Sequence, residues 1–459
     1  MIKSILALCL LIPLLANAAP PQIDQAVYDR LAKQATVPVM VVFELESILA
    51  LKDSEQLERS EVIAAVGDSI IAQAGPGFQV THRYQRVSAL AGRIDRHALA
   101  QLQSHPDVRL ISTDVGGSGH LDVAIPLLGM DVIQQAAPLG LGIDGTGIKV
   151  VVMDTGIEAA HEDFDGALLD EACFCANPNG DCCPNGQASQ FGTGSAADDH
   201  GHGTWVSSHI LGRGNIAHVG AAPAASVVAV KVLDANNSFN STADITAAFD
   251  WIAVNHPDAD VVNASLGTFF TTDVECGELD SGVIRAMRDA IQAVNANGTV
   301  VIASTGNQGL TGIQLPSCLR EVIAVGATWK EDTQGSFSFP FFTDACPDSQ
   351  VDPRLDEVAC FSNTSPQLDL LAPGVNMNAS GLGNSTINGI SGTSFAAPLV
   401  AGCAALIRQA YPELAIDDVR RQMTNSNIMV SDDRNDVSRP RLNCERAIQI
   451  SLFMDRFES

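Results

Sequence analysis

The stretch "IKVVVMDTGI" (Ile148–Ile157) sets three valines and a methionine in a row and ends them on Asp154. A strand with one wet face alternates polar and apolar residues. A continuous Val/Ile-rich run instead suits a strand covered on both faces. The same signature recurs in "SVVAVKVL" (Ser226–Leu233), "ADVVNASL" (Ala259–Leu266), "TVVIAS" (Thr299–Ser304) and "EVIAVGA" (Glu321–Ala327). Between these runs, Ser241–Asn255 carries Ile245, Ala248, Phe249 and Ile252 at helical spacing. Asp280–Asn297 carries Ile284, Met287, Ile291 and Val294 and closes at Gly298. Strand and helix in alternation predict an α/β fold: a doubly wound, mostly parallel sheet with helices on both faces and right-handed crossovers. In such sheets chemistry gathers beyond the carboxyl ends of the strands.

Upstream the pattern differs. "MIKSILALCLLIPLLANA" has Lys3, eleven apolar residues from Ile5 to Leu15, and then Ala16-Asn17-Ala18. That order reads as a secretory signal cleaved after Ala18, and the run is too short to span a bilayer. Residues 19–120 read as a small α+β unit. It has a strand at Val39–Glu44, a helix around Ser54–Ala72, one or two strands in "FQVTHRYQRVSALAGRI", a short helix "HALAQLQSH" and a last strand "VRLIS". "TDVGGSGHLD" (Thr113–Asp122) has linker composition, so this unit is expected to be a removable pro-segment, with its junction between Asp114 and Val123. The expected division is a signal peptide over 1–18, a pro-segment over 19–120 and a main domain over 121–459. The destination is secreted: extracellular, or periplasmic in a Gram-negative bacterium.

Acidic residues outnumber basic ones 53 to 26, a net charge of −27. That charge opposes nucleic acid and anionic membranes as partners. Removing Cys9 with the signal leaves ten of the eleven cysteines for an oxidising destination, where disulfides are the default. Cys276 with Cys318, Cys346 with Cys360 and Cys403 with Cys444 are candidate pairs. Cys173, Cys175, Cys182 and Cys183, in "CFCANPNGDCC", could pair in more than one way or hold zinc. Asn240 and Asn363 stand in Asn-x-Ser/Thr triplets.

Four residues stand where such a sheet collects its site. Asp154 closes a buried run. His202 lies in "DDHGHGTWVSSHILG" at the start of an apolar helix, where it is either a general base or, with His200 beside Asp198 and Asp199, half of a metal pair. Asn307 follows a buried strand and is either a turn residue or an amide donor to a developing oxyanion. Ser394, in "NGISGTSFAAPLVAGCAAL" (Asn388–Leu406), is either a helix N-cap or a nucleophile, and Pro398 is expected in the first turn of that helix. Acyl transfer needs all four parts: a hydroxyl, a base to deprotonate it, a carboxylate to orient the base, and a donor for the oxyanion.

"VVVMDTGI", "GHGTWV", "STGNQG" and "SGTSFAAP", in that order, resemble the four landmark motifs of the secreted subtilisin-like serine proteases, the subtilases, and the likeness runs from about residue 19 to about 450. The resemblance implies Asp154 as orienting carboxylate, His202 as general base and acid, Ser394 as nucleophile and Asn307 as oxyanion donor. It implies substrate contacts at Ser265, Leu266 and Gly267 ("ASLG") and at Ser304, Thr305 and Gly306. It makes the N-terminal unit a ferredoxin-like pro-segment acting as an intramolecular inhibitor. No cofactor is required for chemistry. A structural calcium is possible at Asp163 in "HEDF", although the loop "GRGNIAHV" does not clearly reproduce the family's other ligands. Trp205, Ser207 and Ser208 depart from the family pattern behind the base, and the cysteine-rich segment is expected to cover one rim of the cleft. The expected function is a secreted serine endopeptidase made as a zymogen, a monomer acting on proteins or peptides. Its rivals are an idle peptide-binding module of the same fold and a metal-dependent hydrolase.

Overall fold

The structure, a computed structural model, describes residues 20–44, 59–84, 87–113, 124–135, 141–177, 182–279, 281–334, 336, 337, 339, 346 and 350–449. The signal segment, residues 54–58 of the expected helix, nearly all of the Gly-rich tract, and Asp280 lie outside them. The chain divides into two compact units, Met1–Gly119 and His120–Ser459.

In the first unit the elements run β1 (Gln22–Ile23), α1 (Gln25–Lys33), β2 (Val37–Phe43), α2 (Arg59–Ala74), β3 (Phe78–Arg83), β4 (Ala89–Ile94), α3 (Arg96–Leu102) and β5 (Val108–Thr113). From β2 onward this is a βαββαβ wind. The sheet order β1-β5-β2-β4-β3 is antiparallel apart from the β1–β5 pair, which is the ferredoxin-like arrangement. β1 and α1 precede it and were not foreseen from the sequence. Along β2 burial alternates residue by residue, with Val37, Val39, Val41 and Phe43 turned into the unit's own core. That is the period-2 pattern of a sheet covered on one face.

In the second unit the elements run β6 (Lys149–Asp154), β7 (Leu168–Phe174), β8 (Ser189–Phe191), α4 (His202–Leu211), β9 (Ser226–Lys231), α5 (Thr242–Asn255), β10 (Val261–Ala264), α6 (Gly282–Ala296), β11 (Val300–Ser304), β12 (Ile323–Thr328), β13 (Leu370–Pro373), the hairpin β14 (Met377–Gly381) and β15 (Ser385–Ile390), then α7 (Thr393–Ala410) and α8 (Ile416–Thr424). Eight of the strands form one sheet in the order β13-β12-β11-β10-β6-β9-β7-β8. All neighbours are parallel except β8, which runs antiparallel at the edge. The chain winds outward from β6 in both directions, so the switch point of the sheet lies at β6.

The valine runs are continuous because each strand feeds two cores. Val150 and Val152 pack into one, with α4 and α7. Val151 and Met153 pack into the other, with α5 and α6. β11 divides in the same way, with Val300 and Ile302 on one side and Val301 and Ala303 on the other. Small residues in α7 have a steric reason: a Cβ on Gly402 would sit on the Ala221 methyl, so the helix reaches the segment after α4 only without one.

Ten cysteines pair as five disulfides: Cys173–Cys183, Cys175–Cys182, Cys276–Cys318, Cys346–Cys360 and Cys403–Cys444. The close-spaced cluster therefore holds bridges and leaves no thiolate for zinc. Cys403–Cys444 spans 41 residues and ties α7 to the segment after β15 and α8. Loop closure on that scale is worth about 4 kcal/mol. Replacing both cysteines by serine is expected to lower unfolding stability by that order, read as the shift in urea midpoint at constant slope. An unchanged midpoint would remove loop closure as a source of stability here.

Candidate active site

Asp154 is the last residue of β6 and is fully buried; His202 is the first residue of α4. Two glycines let strand end and helix start meet. Gly201 adopts φ +110°, a left-handed conformation, and a Cβ on Gly203 would land on the Gly156 carbonyl oxygen and 3.1 Å from the Asp154 Cβ. His202 Nδ1 lies 2.7 Å from Asp154 Oδ1, which also accepts the Thr155 N–H at 2.7 Å. An ionised carboxylate only accepts, so Nδ1 carries the proton and the neutral ring keeps its lone pair on Nε2. Burial disfavours the imidazolium, yet the charge and hydrogen bond of Asp154, helped by Asp198, win and raise the His202 pKa above its ordinary value.

The turn that presents His202 is held by Asp198. Its carboxylate accepts the N–H groups of His200, Gly201 and Thr204 and the hydroxyls of Thr155 and Thr204, at 2.6–3.0 Å. Burial works to raise its pKa, but these bonds outweigh it and hold the group below the usual carboxylate range. Thr155 Oγ1 in turn accepts the Gly203 N–H at 2.8 Å. Buried Lys231 donates to the Thr155 carbonyl at 2.8 Å and to Asp199 at 2.7 Å. His200 and His202 therefore do not share a ligand position. His200 Nδ1 accepts the His202 N–H at 3.2 Å.

Ser394 is the second residue of α7, and Gly392, not Ser394, is its N-cap. The cap reading of Ser394 is thereby set aside. Its hydroxyl is 3.3 Å from the Ser265 carbonyl, a weak bond. Pro398 is the sixth helical residue, past the first turn where it was expected. Lacking an N–H, it cannot donate to the carbonyl four residues back, which belongs to Ser394. That carbonyl instead accepts the Ser265 hydroxyl at 2.9 Å, and Asn263 Nδ2 donates to the same hydroxyl at 3.0 Å. The proline thus opens the helix ladder where Ser265 grips Ser394.

Asn307 follows β11. Its Oδ1 accepts the Thr393 N–H at 2.8 Å and the Thr393 hydroxyl at 2.9 Å. The backbone N–H can only donate, so the amide orientation is fixed and the NH2 faces away from Thr393. Asn363, fully buried, shapes the same loop by accepting the N–H groups of Gln308 and Leu310 and donating to the Thr305 carbonyl. Its amide is committed to the interior, which removes it as a glycan acceptor in the folded protein.

Two clefts meet here. One, of about 650 Å³, is lined by His200, His202, Trp205, Asn307, Ser394 and Phe395 among others. The other, of about 660 Å³, is lined by Ser265, Leu266, Gly267, Ser304, Gly306, Asn307 and Ser394 among others. Asn307 and Ser394 border both. Thr305 borders neither: it is buried, and its hydroxyl donates to the Asn363 carbonyl at 2.9 Å. None of the described residues of the cysteine-rich segment lines either cleft, contrary to expectation. They build the sheet edge at β7 and β8.

The family model of the subtilases matches residues 145–444. The chain belongs to the subtilase family. It is 29% identical over 348 residues to a thermostable alkaline protease of Halalkalibacterium halodurans, covering 76% of this chain and 80% of that one. It is 30% identical over 299 residues to subtilisin Savinase of Lederbergia lenta (65% and 90%), and 30% over 313 residues to subtilisin DY of Bacillus licheniformis (67% and 92%). This subtilase is a serine endopeptidase acting on proteins, and its chemistry needs no cofactor. Among the described residues no helix is long and apolar enough to cross a membrane, and no cluster of His, Cys, Asp and Glu suits a metal.

Where this subtilase departs from its relatives' pattern, the structure supplies reasons. Asp163 Oδ1 accepts the N–H groups of Asn215 and Ile216. Its Oδ2 accepts the Ala217 N–H and the Ser380 hydroxyl. Four donors use the lone pairs a calcium ion would need, so Asp163 does not fit a cation. Burial tends to raise its pKa, but these bonds prevail and lower it. Ser208 joins the same network through Ser380 at 2.9 Å, a use for the hydroxyl behind the base. Trp205 packs its ring 6.2 Å from His202 and 6.5 Å from Phe395.

Proposed function

We propose that Ser394, His202, Asp154 and Asn307 carry out peptide-bond hydrolysis in a protease exported and made as a zymogen. The observation that carries this reading is the buried 2.7 Å Asp154–His202 pair, at the edge of the cleft that also holds Ser394 and Asn307. His202 Nε2 takes the proton as Ser394 Oγ bonds to the peptide carbonyl carbon, and the negative charge moves to the carbonyl oxygen. Asn307 Nδ2 and the Ser394 N–H, at the positive end of α7, stabilise that oxyanion. As the C–N bond breaks, the same proton passes from Nε2 to the leaving amine. Water then attacks the acyl-enzyme with His202 again as base, releasing the acid and restoring the serine. Asp154 keeps the ring in the Nδ1–H tautomer and stabilises its charged form.

Residues 1–18 act in this reading as the export signal and 19–120 as a pro-segment that inhibits until cleaved. Support comes from the apolar leader, the Gly-rich tract, and a first unit with its own core. N-terminal sequencing of the mature product is expected to begin between Asp114 and Val123. A mature chain beginning near residue 19 would reject the pro-segment. No calcium at Asp163 is part of the proposal.

A fluorophosphonate probe is expected to label the wild-type protein and not Ser394→Ala. Equal labelling of both would reject the assignment. Asn307→Ala is expected to lower kcat by roughly 10²–10³-fold with little change in KM. A loss confined to KM would make Asn307 a ground-state contact.

A further inference from the structure

We propose that this protease selects cleavage sites on the leaving-group side, by taking up an aromatic or branched aliphatic side chain from the residue directly after the scissile bond. The inference rests on the proposed roles of His202 and Ser394. The amine that departs receives its proton from His202, so it must lie on the imidazole's side of Ser394. Of the two clefts, only one contains His202, and it lacks Ser265, Leu266 and Gly267. That cleft is therefore the leaving-group side.

Its lining differs in kind from its neighbour's. Trp205, Phe337, Ile387, Ile390 and Phe395 line it together with asparagines and the two histidines, and among the described residues no Asp, Glu, Lys or Arg does. The acyl-side cleft is lined largely by serines, threonines, asparagines and glycines, with Leu233, Phe239, Leu266 and Phe269 as its large apolar members. Behind this wall of the leaving-group cleft lies Trp329, 1% exposed, whose indole N–H donates to Gln350 Oε1 at 3.0 Å and whose ring backs it. Phe337 and Phe339 meet that ring edge-on, with ring centres 5.2 Å and 5.9 Å away. A charged side chain placed here would be desolvated with no permanently charged group among the described lining residues to meet it, whereas an apolar one gains burial. About 650 Å³ is ample for a bulky side chain by the standards of ligand sites.

The test uses acyl transfer, because an amine that attacks the acyl-enzyme enters through the leaving-group cleft. The acyl-enzyme is formed from one fixed peptide ester, and water then competes with phenylalanine, leucine, glycine or aspartate amide. Aminolysis relative to hydrolysis is expected to favour the phenylalanine and leucine amides over the other two by at least about tenfold. This preference should shrink in Ile390→Ser and in Phe337→Ser. The ratio is formed within one acyl-enzyme population, so protein that fails to fold does not enter it. A profile flat within twofold, a preference for aspartate amide, or an unchanged ratio in both variants would overturn the inference while ester turnover left the hydrolytic reading standing. Absence of any acyl-enzyme would overturn both.

Discussion

Ser394→Ala is expected to lower kcat by about 10⁶-fold, the size of the same change in subtilisin, while leaving the fold intact. Both parts follow from the same contacts. Among the described residues the hydroxyl bonds the Ser265 carbonyl at 3.3 Å, a weak contact, so its loss costs little stability, and alanine suits the start of a helix. The Ser394 carbonyl keeps its 2.9 Å bond from the Ser265 hydroxyl, because that grip uses the backbone. In the proposed reaction, by contrast, chemistry loses the oxygen that joins the peptide carbon. His202 can then deprotonate only a water that nothing positions, and the surviving rate comes from Asn307 and substrate binding. The measurement is kcat on a peptide or ester substrate beside the urea midpoint of the same preparation. A loss below about tenfold with an unchanged midpoint would remove Ser394 from the reaction. A collapsed midpoint would show that the hydroxyl holds the fold.

The central strands were legible because both their faces are buried, which favours Val, Ile and Ala at most of their positions. The outer strands were not. β7, "LLDEACF", keeps charged residues because it lies near the edge. β13, "LLAP", is four residues ending in a proline that only an edge tolerates. β1 and α1 fell outside any recognised pattern.

The site divides in the same way. Asp154, His202, Asn307 and Ser394 each stand at a strand end or glycine-flanked turn, a local signal. Asp198, Lys231, Thr393 and Asn363 act through hydrogen bonds to partners up to 87 residues away, and no spacing announces such bonds. Thr305 was read as a cleft wall along with its neighbours. Extended backbone sends alternate side chains to opposite sides, so Ser304 borders the cleft while Thr305 turns inward, and Gly306, at φ +107°, bends the chain back along the cleft. The effect of Pro398 needed the helix register, which puts Ser394 four residues before it. Asp163 kept the family's residue type but met three loop N–H groups where a cation was conceivable. Only the backbone of Asn215–Ala217, not its side chains, carries that difference.

Asp154→Asn is expected to lower kcat/KM by about 10⁴-fold and to move the acidic limb of its pH profile downward. The base must be neutral to accept the serine proton, so activity rises as pH climbs through the His202 pKa of the free enzyme. In the wild-type protein burial opposes the imidazolium, but the Asp154 carboxylate at 2.7 Å outweighs it, so that pKa is raised. The wild-type limb therefore lies above about 6.5, the ordinary imidazole value. With asparagine the countercharge is gone and burial stands against the charged ring with only Asp198 in opposition, so the pKa falls and the limb moves to lower pH. Most of the rate loss has another source. The neutral amide cannot stabilise the imidazolium that forms as Ser394 is deprotonated. Where its NH2 rather than its oxygen faces Nδ1, set against the Thr155 N–H that Asp154 Oδ1 accepts, the ring proton shifts to Nε2 and leaves no lone pair facing Ser394. A variant slow at every pH with its limb displaced downward matches both effects. A limb that stayed in place or rose, or a loss under tenfold, would mean that the carboxylate neither charges nor orients the imidazole.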